Sequence, residues 1–182
     1  MLLSNVQLEQ LLRTFPKLVT SVGGLGSGSA EDPLQPASID LTVGRIFVPP
    51  ADHENDDEAE EISYFHDMKS GSTALVVTQQ KLDFPAKIAG LMFPKNGDFA
   101  LKAVLITNFG HVDPGFEGHL KFTLINFGPR NFQIRVGQKI ACLLLFQLEK
   151  EANPDWKHLR RHATDNYEAH ARVLNRDFLD LD

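Results

Sequence analysis

The chain has 182 residues, a formal net charge of −6 and one cysteine. That length suits one domain able to bury a sizeable core, and the acidic balance argues against a primary surface for nucleic-acid polymers or anionic membranes. No apolar run reaches the ~18 residues of a spanning helix, the start lacks the basic and small-residue features of a signal peptide, and Cys142 alone makes neither an internal disulfide nor a metal cluster, which fits a reduced, cytoplasmic setting.

Ser4 is a plausible N-cap for a first helix carrying Val6, Leu8, Leu11 and Leu12 at helical spacing, with Pro16 ending it. The glycine-rich run from Gly23 to Ser29 lacks the Gly-Lys-Ser/Thr of a P-loop and the preceding strand of a dinucleotide fingerprint, so residues 23–32 read as a flexible linker. The acidic run Asp52–Glu61 lacks the spacing of a calcium loop; residues 51–61 read as a solvated, mobile hairpin loop. From Ile62 onward short β-type segments alternate with turns.

The most informative stretch is His111-Val-Asp-Pro-Gly-Phe-Glu-Gly-His-Leu-Lys-Phe-Thr-Leu-Ile-Asn126. Asp-Pro-Gly forms a turn, and the strand after it alternates, with Leu120, Phe122 and Leu124 on one face and His119, Lys121 and Thr123 on the other. Turn residues 126–129, a segment 132–137 and the apolar strand 139–146 follow, with Cys142 read as a small buried hydrophobe. Helical pattern returns only after Asn153-Pro154, and the tail 149–182 is helical or extended. Its segment Trp156-Lys-His-Leu-Arg-Arg-His162 suits a surface helix with its basic side in water, or an arm over a neighbouring subunit's phosphates. The expected fold is mainly β: a jelly-roll-like double sheet with an N-terminal helix.

The stretch from Asp113 to Phe146 resembles the dCTP deaminase and dUTPase superfamily, and within it the dCTP deaminase-like branch. Members read Ile-Asp-Pro-Gly-aromatic-x-Gly, then a strand ending in Asn, then Gly-x-x-Ile-Ala-Gln. Leu34-Gln-Pro-Ala-Ser-Ile-Asp-Leu-Thr-Val-Gly44, the segments at 70–71, 77–78 and 84–85, and Gly90 fall in family order. The resemblance covers residues 1–148 and implies a dUTPase-like jelly-roll, or β-clip, domain over that span, assembled as a homotrimer with sites between subunits. It implies binding of a pyrimidine deoxynucleotide and chemistry that needs no metal, Mg²⁺ arriving only with the triphosphate.

The residues that would carry this chemistry are altered. The family glutamate that moves protons corresponds to Thr123, whose hydroxyl can hydrogen-bond a base but cannot act as a base near neutrality. The phosphate signature Arg-Ser-Ser-x-Ala-Arg-x-Gly corresponds to Lys95-Asn-Gly-Asp-Phe-Ala-Leu-Lys102. Lys95, Asn96, the Gly97 amide and Lys102 could still receive a phosphate, whereas Ala100 removes a guanidinium; an Asn-Gly turn between lysines is equally an ordinary surface feature. His111 replaces an arginine and reads as a phosphate contact or a surface turn residue. Asp113 is retained, as turn former or as the water-activating carboxylate of dUTPases. Phe116 offers a packing or stacking surface, and Asp40 keeps the place of a carboxylate that braces the site. Against dUTPase stand Cys142 in place of glutamine and the absence of glycine after Gly137. Three readings remain open: a dCTP deaminase-like enzyme making dUTP, an inactive nucleotide-binding sensor or structural trimer, and a dUTP diphosphatase using Asp113.

Overall fold

The computed structural model describes residues 1–20, 32–49 and 59–153. The glycine-rich run, most of the acidic run and the tail from 154 lie outside the described residues. Helix α1 (Asn5–Thr14) begins at a capping box in which Ser4 and Gln7 satisfy each other's backbone ends. It presses Leu8 and Leu12 into the core, while Val6 faces solvent.

The strands are β1 (Leu34–Gln35), β2 (Ser38–Val48), β3 (Glu60–Ile62), β4 (Phe65–Met68), β5 (Thr73–Asp83), β6 (Ile88–Pro94), β7 (Val104–Ile106), β8 (His111–Val112), β9 (Glu117–Asn126), β10 (Phe132–Arg135) and β11 (Lys139–Gln147), with the short helix α2 (Asn96–Leu101) between β6 and β7. Among the described residues, nine strands form one curled sheet in the order β7-β9-β5-β2-β11-β6-β8, with β1 and β3 added to β2; β4 and β10 form a separate pair. This mainly β architecture is the one the sequence implies. Two details differ. Glu60 and Glu61, expected in a loop, are strand residues paired with Val48 and Phe47. The Asn-Gly turn expected after Lys95 is the first turn of α2.

Strand β2 serves both halves of the sheet. Its first part pairs with β11, Asp40 opposite Cys142, and its second part pairs with β5, Arg45 opposite Val77. The register shifts between Val43 and Arg45, and Gly44 is required there because a Cβ atom would stand 2.7 Å from the Gln79 Cα. The matching irregularity in β5 is sealed by side chains. Thr78 Oγ1 donates to the Gln80 carbonyl at 2.8 Å and accepts from the Leu120 amide at 3.0 Å, while the Thr42 amide donates to Gln80 Oε1 at 2.9 Å. Without these partners the displaced backbone would be buried unsatisfied.

Ile39, Leu41, Val43, Val76, Phe122, Leu124, Leu143 and Leu145 are buried between the halves, each adding about 1.5–3 kcal/mol of burial free energy. Phe109 packs its ring 5.0 Å from that of Phe122. Cys142 does not join them. It is half-buried on the opposite face of β11, between Asp40 and Phe93 in register, so the expectation of a core cysteine is corrected: alternation turns Leu143 inward and Cys142 outward.

Candidate functional site

The turn before β9 is built as its sequence dictates. The Phe116 amide donates to the Asp113 carbonyl at 3.1 Å, and Gly115 holds a φ of +81°, the positive value that the third position of a type II turn needs. Asp113 is left half exposed, its carboxylate 3.4 Å from His111 Nε2. Phe116, by contrast, is partly buried against the main core, which makes it a packing residue of this turn.

Thr123 lies farther along β9, on the face turned away from the core. Its carbonyl accepts from the Thr107 amide at 2.9 Å, and its hydroxyl makes no hydrogen bond among the described residues. The register places Phe47, Leu75 and Thr123 in one row across β2, β5 and β9, and Arg45, Val77 and Lys121 in the next. Phe47, Leu75 and Val77 form a small apolar cluster of their own, and Arg45 and Lys121 lie on the same face. Glu61, opposite Phe47, holds Arg45 through two bonds of 2.7 and 2.5 Å. That contact raises the Arg45 pKa and lowers that of Glu61. Burial, assisted by the Arg45 charge, pushes the Lys121 ammonium below its ordinary value.

Lys95, the cap residue before α2, is elsewhere. Its Nζ is 2.5 Å from Asp40 Oδ1, and Lys139 Nζ is 3.0 Å from Oδ2. Asp40 is 1% exposed, and the contacts are charge pairings, since neither oxygen has a partner in hydrogen-bonding alignment. The Cys142 thiol beside them is pushed up by burial, which outweighs the opposing Lys95 charge, with Asp40 adding to the rise; such a thiol is a poor nucleophile. Gly97 is exposed on α2, and nothing would meet a side chain there. Lys102 ends α2 with its Nζ over the Phe132 ring at 5.5 Å, beside a cavity that it shares with Arg135.

The structure therefore brings His111 to Asp113 and Asp40 to Lys95. It does not gather all the expected residues into one pocket of a single chain. The residues that sequence reasoning passed over are Arg45 and Glu61, on the same sheet face as Thr123 but two and three strands away, and Lys139 beside Asp40. Alternation already put Lys121 on the face of Thr123; the other contacts depend on strand pairing. Among the described residues no group of three or more His, Cys, Asp or Glu side chains could hold a metal ion, and no helix is long and apolar enough to cross a membrane.

A family profile described as dCTP deaminase-like matches residues 27–148. A dUMP-forming dCTP deaminase of Methanopyrus kandleri is 29% identical over 136 residues, covering 67% of this chain and 70% of its own. A deoxyuridine 5'-triphosphate nucleotidohydrolase of Clostridium tetani is 31% identical over 81 residues, 44% of this chain and 56% of its own. The chain thus spans about half the length of that relative and of an avian adenovirus counterpart, of which it covers 49%. Among solved structures, 2'-deoxycytidine 5'-triphosphate deaminase from Agrobacterium tumefaciens superposes with a TM-score of 0.61 at 17% identity, over 90% of this chain and 53% of that one, which supports the fold.

Proposed function

The chain belongs to the dCTP deaminase-like family, and from that premise we propose that it binds a pyrimidine deoxynucleotide between the subunits of a homotrimer, with deamination of dCTP absent or severely weakened. The observation that carries this reading is the surroundings of Thr123. A proton shuttle there needs a carboxylate, yet the register sets Leu75 and then Phe47 across from it and Lys121 in the next row of β9, and the carboxylate that ends its row, Glu61, is three strands away and committed to Arg45. Glu117, six positions earlier on β9, pairs with Lys81 at 3.3 Å. Among the described residues, then, this face sets no uncommitted carboxylate next to Thr123 for the reaction. Mg²⁺, if used, would accompany the triphosphate as part of the ligand.

The proposed subunit contact is the outward face of β6 and β11. Leu91 and Phe93 are exposed there, opposite Leu144 and Cys142 in register. An unpartnered apolar sheet face of this kind favours association. Sedimentation should report a trimer; a stable monomer would remove the inter-subunit site.

A second reading, dUTP diphosphatase, is favoured by one observation: Asp113 is half exposed, with His111 as its ion-pair partner among the described residues, so it is open to a water molecule. Following ammonia and pyrophosphate release with dCTP and dUTP separates the readings. Ammonia at ordinary enzyme rates, ~1–10³ per second, overturns the proposal, and pyrophosphate from dUTP that disappears in Asp113→Asn establishes the alternative. Binding is tested by thermal shift with the deoxynucleotide set; the absence of any shift leaves a structural trimer.

A further inference from the structure

A cavity of about 420 Å³ opens between α2 and β10, lined by Asp98, Lys102, Phe132, Gln133, Arg135 and Gln138, among others. Its volume lies within the ~300–1,000 Å³ typical of small-ligand sites. Of its charged groups the nucleotide reading invokes Lys102, and it gives no role to Arg135 or Asp98.

Arg135 is held in place from behind. Its Nε donates to Gln133 Oε1 at 2.6 Å, and Gln133 Nε2 donates in turn to Asp67 Oδ1 at 2.9 Å on β4. The Arg135 amide donates to Gln138 Oε1 at 3.2 Å. This relay uses one edge of the guanidinium, and among the described residues the two terminal nitrogens have no hydrogen-bond or ion-pair partner. Lys102 is set by its seat over the Phe132 ring at 5.5 Å and has no carboxylate partner among the described residues. Asp98 stands four positions before Lys102 on α2, at a spacing that allows an ion pair, yet none forms. Two oriented cations and one carboxylate thus line a single cavity without neutralising one another.

We propose that this cavity binds the phosphate group of a small hydroxylated metabolite. A guanidinium fork receives two phosphate oxygens side by side, and an ammonium adds a point charge. A phosphomonoester near neutrality carries up to two negative charges, so it matches both cations better than a lone carboxylate does. Asp98 repels a bare anion but accepts a hydrogen bond from a hydroxyl, which favours a sugar phosphate over inorganic phosphate. The site shares Lys102 with the phosphate signature of the nucleotide reading, but its guanidinium, Arg135, lies outside that signature, and none of its proposed contacts touches Asp113, Thr123 or Lys95.

The test is calorimetry and thermal shift on the full chain with ribose 5-phosphate and inorganic phosphate, against sodium chloride at matched ionic strength. Ribose 5-phosphate should raise the melting temperature, and Arg135→Gln and Lys102→Gln should each weaken its binding at least tenfold. Asp98→Asn should weaken ribose 5-phosphate while leaving inorganic phosphate equal or tighter. A shift no greater than that from chloride, or affinities unchanged in Arg135→Gln and Lys102→Gln, overturns the site. An Asp98→Asn variant that keeps full affinity for ribose 5-phosphate overturns the hydroxyl contact. All three side chains are exposed, so the unliganded melting temperature of each variant checks that the fold is retained.

Discussion

Lys95 sets its ammonium 2.5 Å from the carboxylate of Asp40, a side chain with 1% of its surface exposed. The pair joins the cap of α2 to the first half of β2, and Lys139 completes it from β11. A buried carboxylate stripped of both cations is far costlier than the loss of the whole group. Lys95→Met with Lys139→Met should therefore lower stability by about 3–5 kcal/mol, whereas Asp40→Asn should cost about 1 kcal/mol. Adding Asp40→Asn to the double lysine variant should recover most of the loss. Urea denaturation of the set decides; equal losses in all variants would mean the charges are incidental.

Lys121 makes stability depend on alkaline pH. Its folded pKa is lowered by burial and by Arg45, so between that value and the 10.5 of an ordinary lysine the unfolded chain binds more protons. Stability contributed through this group must rise with pH across that window, the cost of the buried charge being full below it. Lys121→Met should be more stable than the parent at neutral pH and should lose the rise. A parent protein whose stability is flat through the alkaline range, or a less stable Lys121→Met, counts against the burial of this charge.

Thr123→Glu combined with Ala100→Arg should raise dCTP deamination above the parent rate. A general acid–base group supplies roughly 10²–10⁴-fold, although paired effects need not add. Thr123→Glu alone should gain less, because Lys121 two positions away on the same face offers the new carboxylate an ion pair. Lys121→Gln in the Thr123→Glu background should then increase the rate further. Ammonia release checks each step.

Gly44→Ala should destabilise by about 1–3 kcal/mol, as overpacking does, since the atoms in its way are backbone of Gln79 rather than a movable side chain. Gly97→Ala, where a side chain meets nothing, should be neutral or slightly stabilising within a helix, by up to ~1 kcal/mol. Thermal melts of the two variants form an internal comparison.

The strands were legible wherever one face is buried. Leu120, Phe122 and Leu124 alternate with His119, Lys121 and Thr123, and burial follows that alternation along β9. Helix α2 was hidden because Asn-Gly is a turn signal, and six residues are too few for a helical period to emerge. Cys142 misled because an unbroken apolar run does not state which residues face inward. The assignment of Thr123 to the family's glutamate position rests on family order alone, whereas the Arg45–Glu61 pair on the same sheet face is set by the pairing of β2 with β5 and β3. Long-range partners of this sort, Asp40 with Lys139 above all, leave no local trace in sequence.

The shared strand β2 also sets the timing of assembly. Lys139 follows Asp40 by 99 positions, and at ~5–20 residues per second a ribosome takes roughly 5–20 s to cover that gap. Through that interval the first half of β2 lacks its β11 partner, and β6, which pairs with β8 and β11, stays open along its β11 side. Ile39, Leu41 and Met92 have no finished core to enter, and an open apolar edge is what other nascent chains pair with. The half of the sheet that carries Asp40 closes last, so in vivo yield should respond most strongly to substitutions in β11, the strand that arrives after everything it must join.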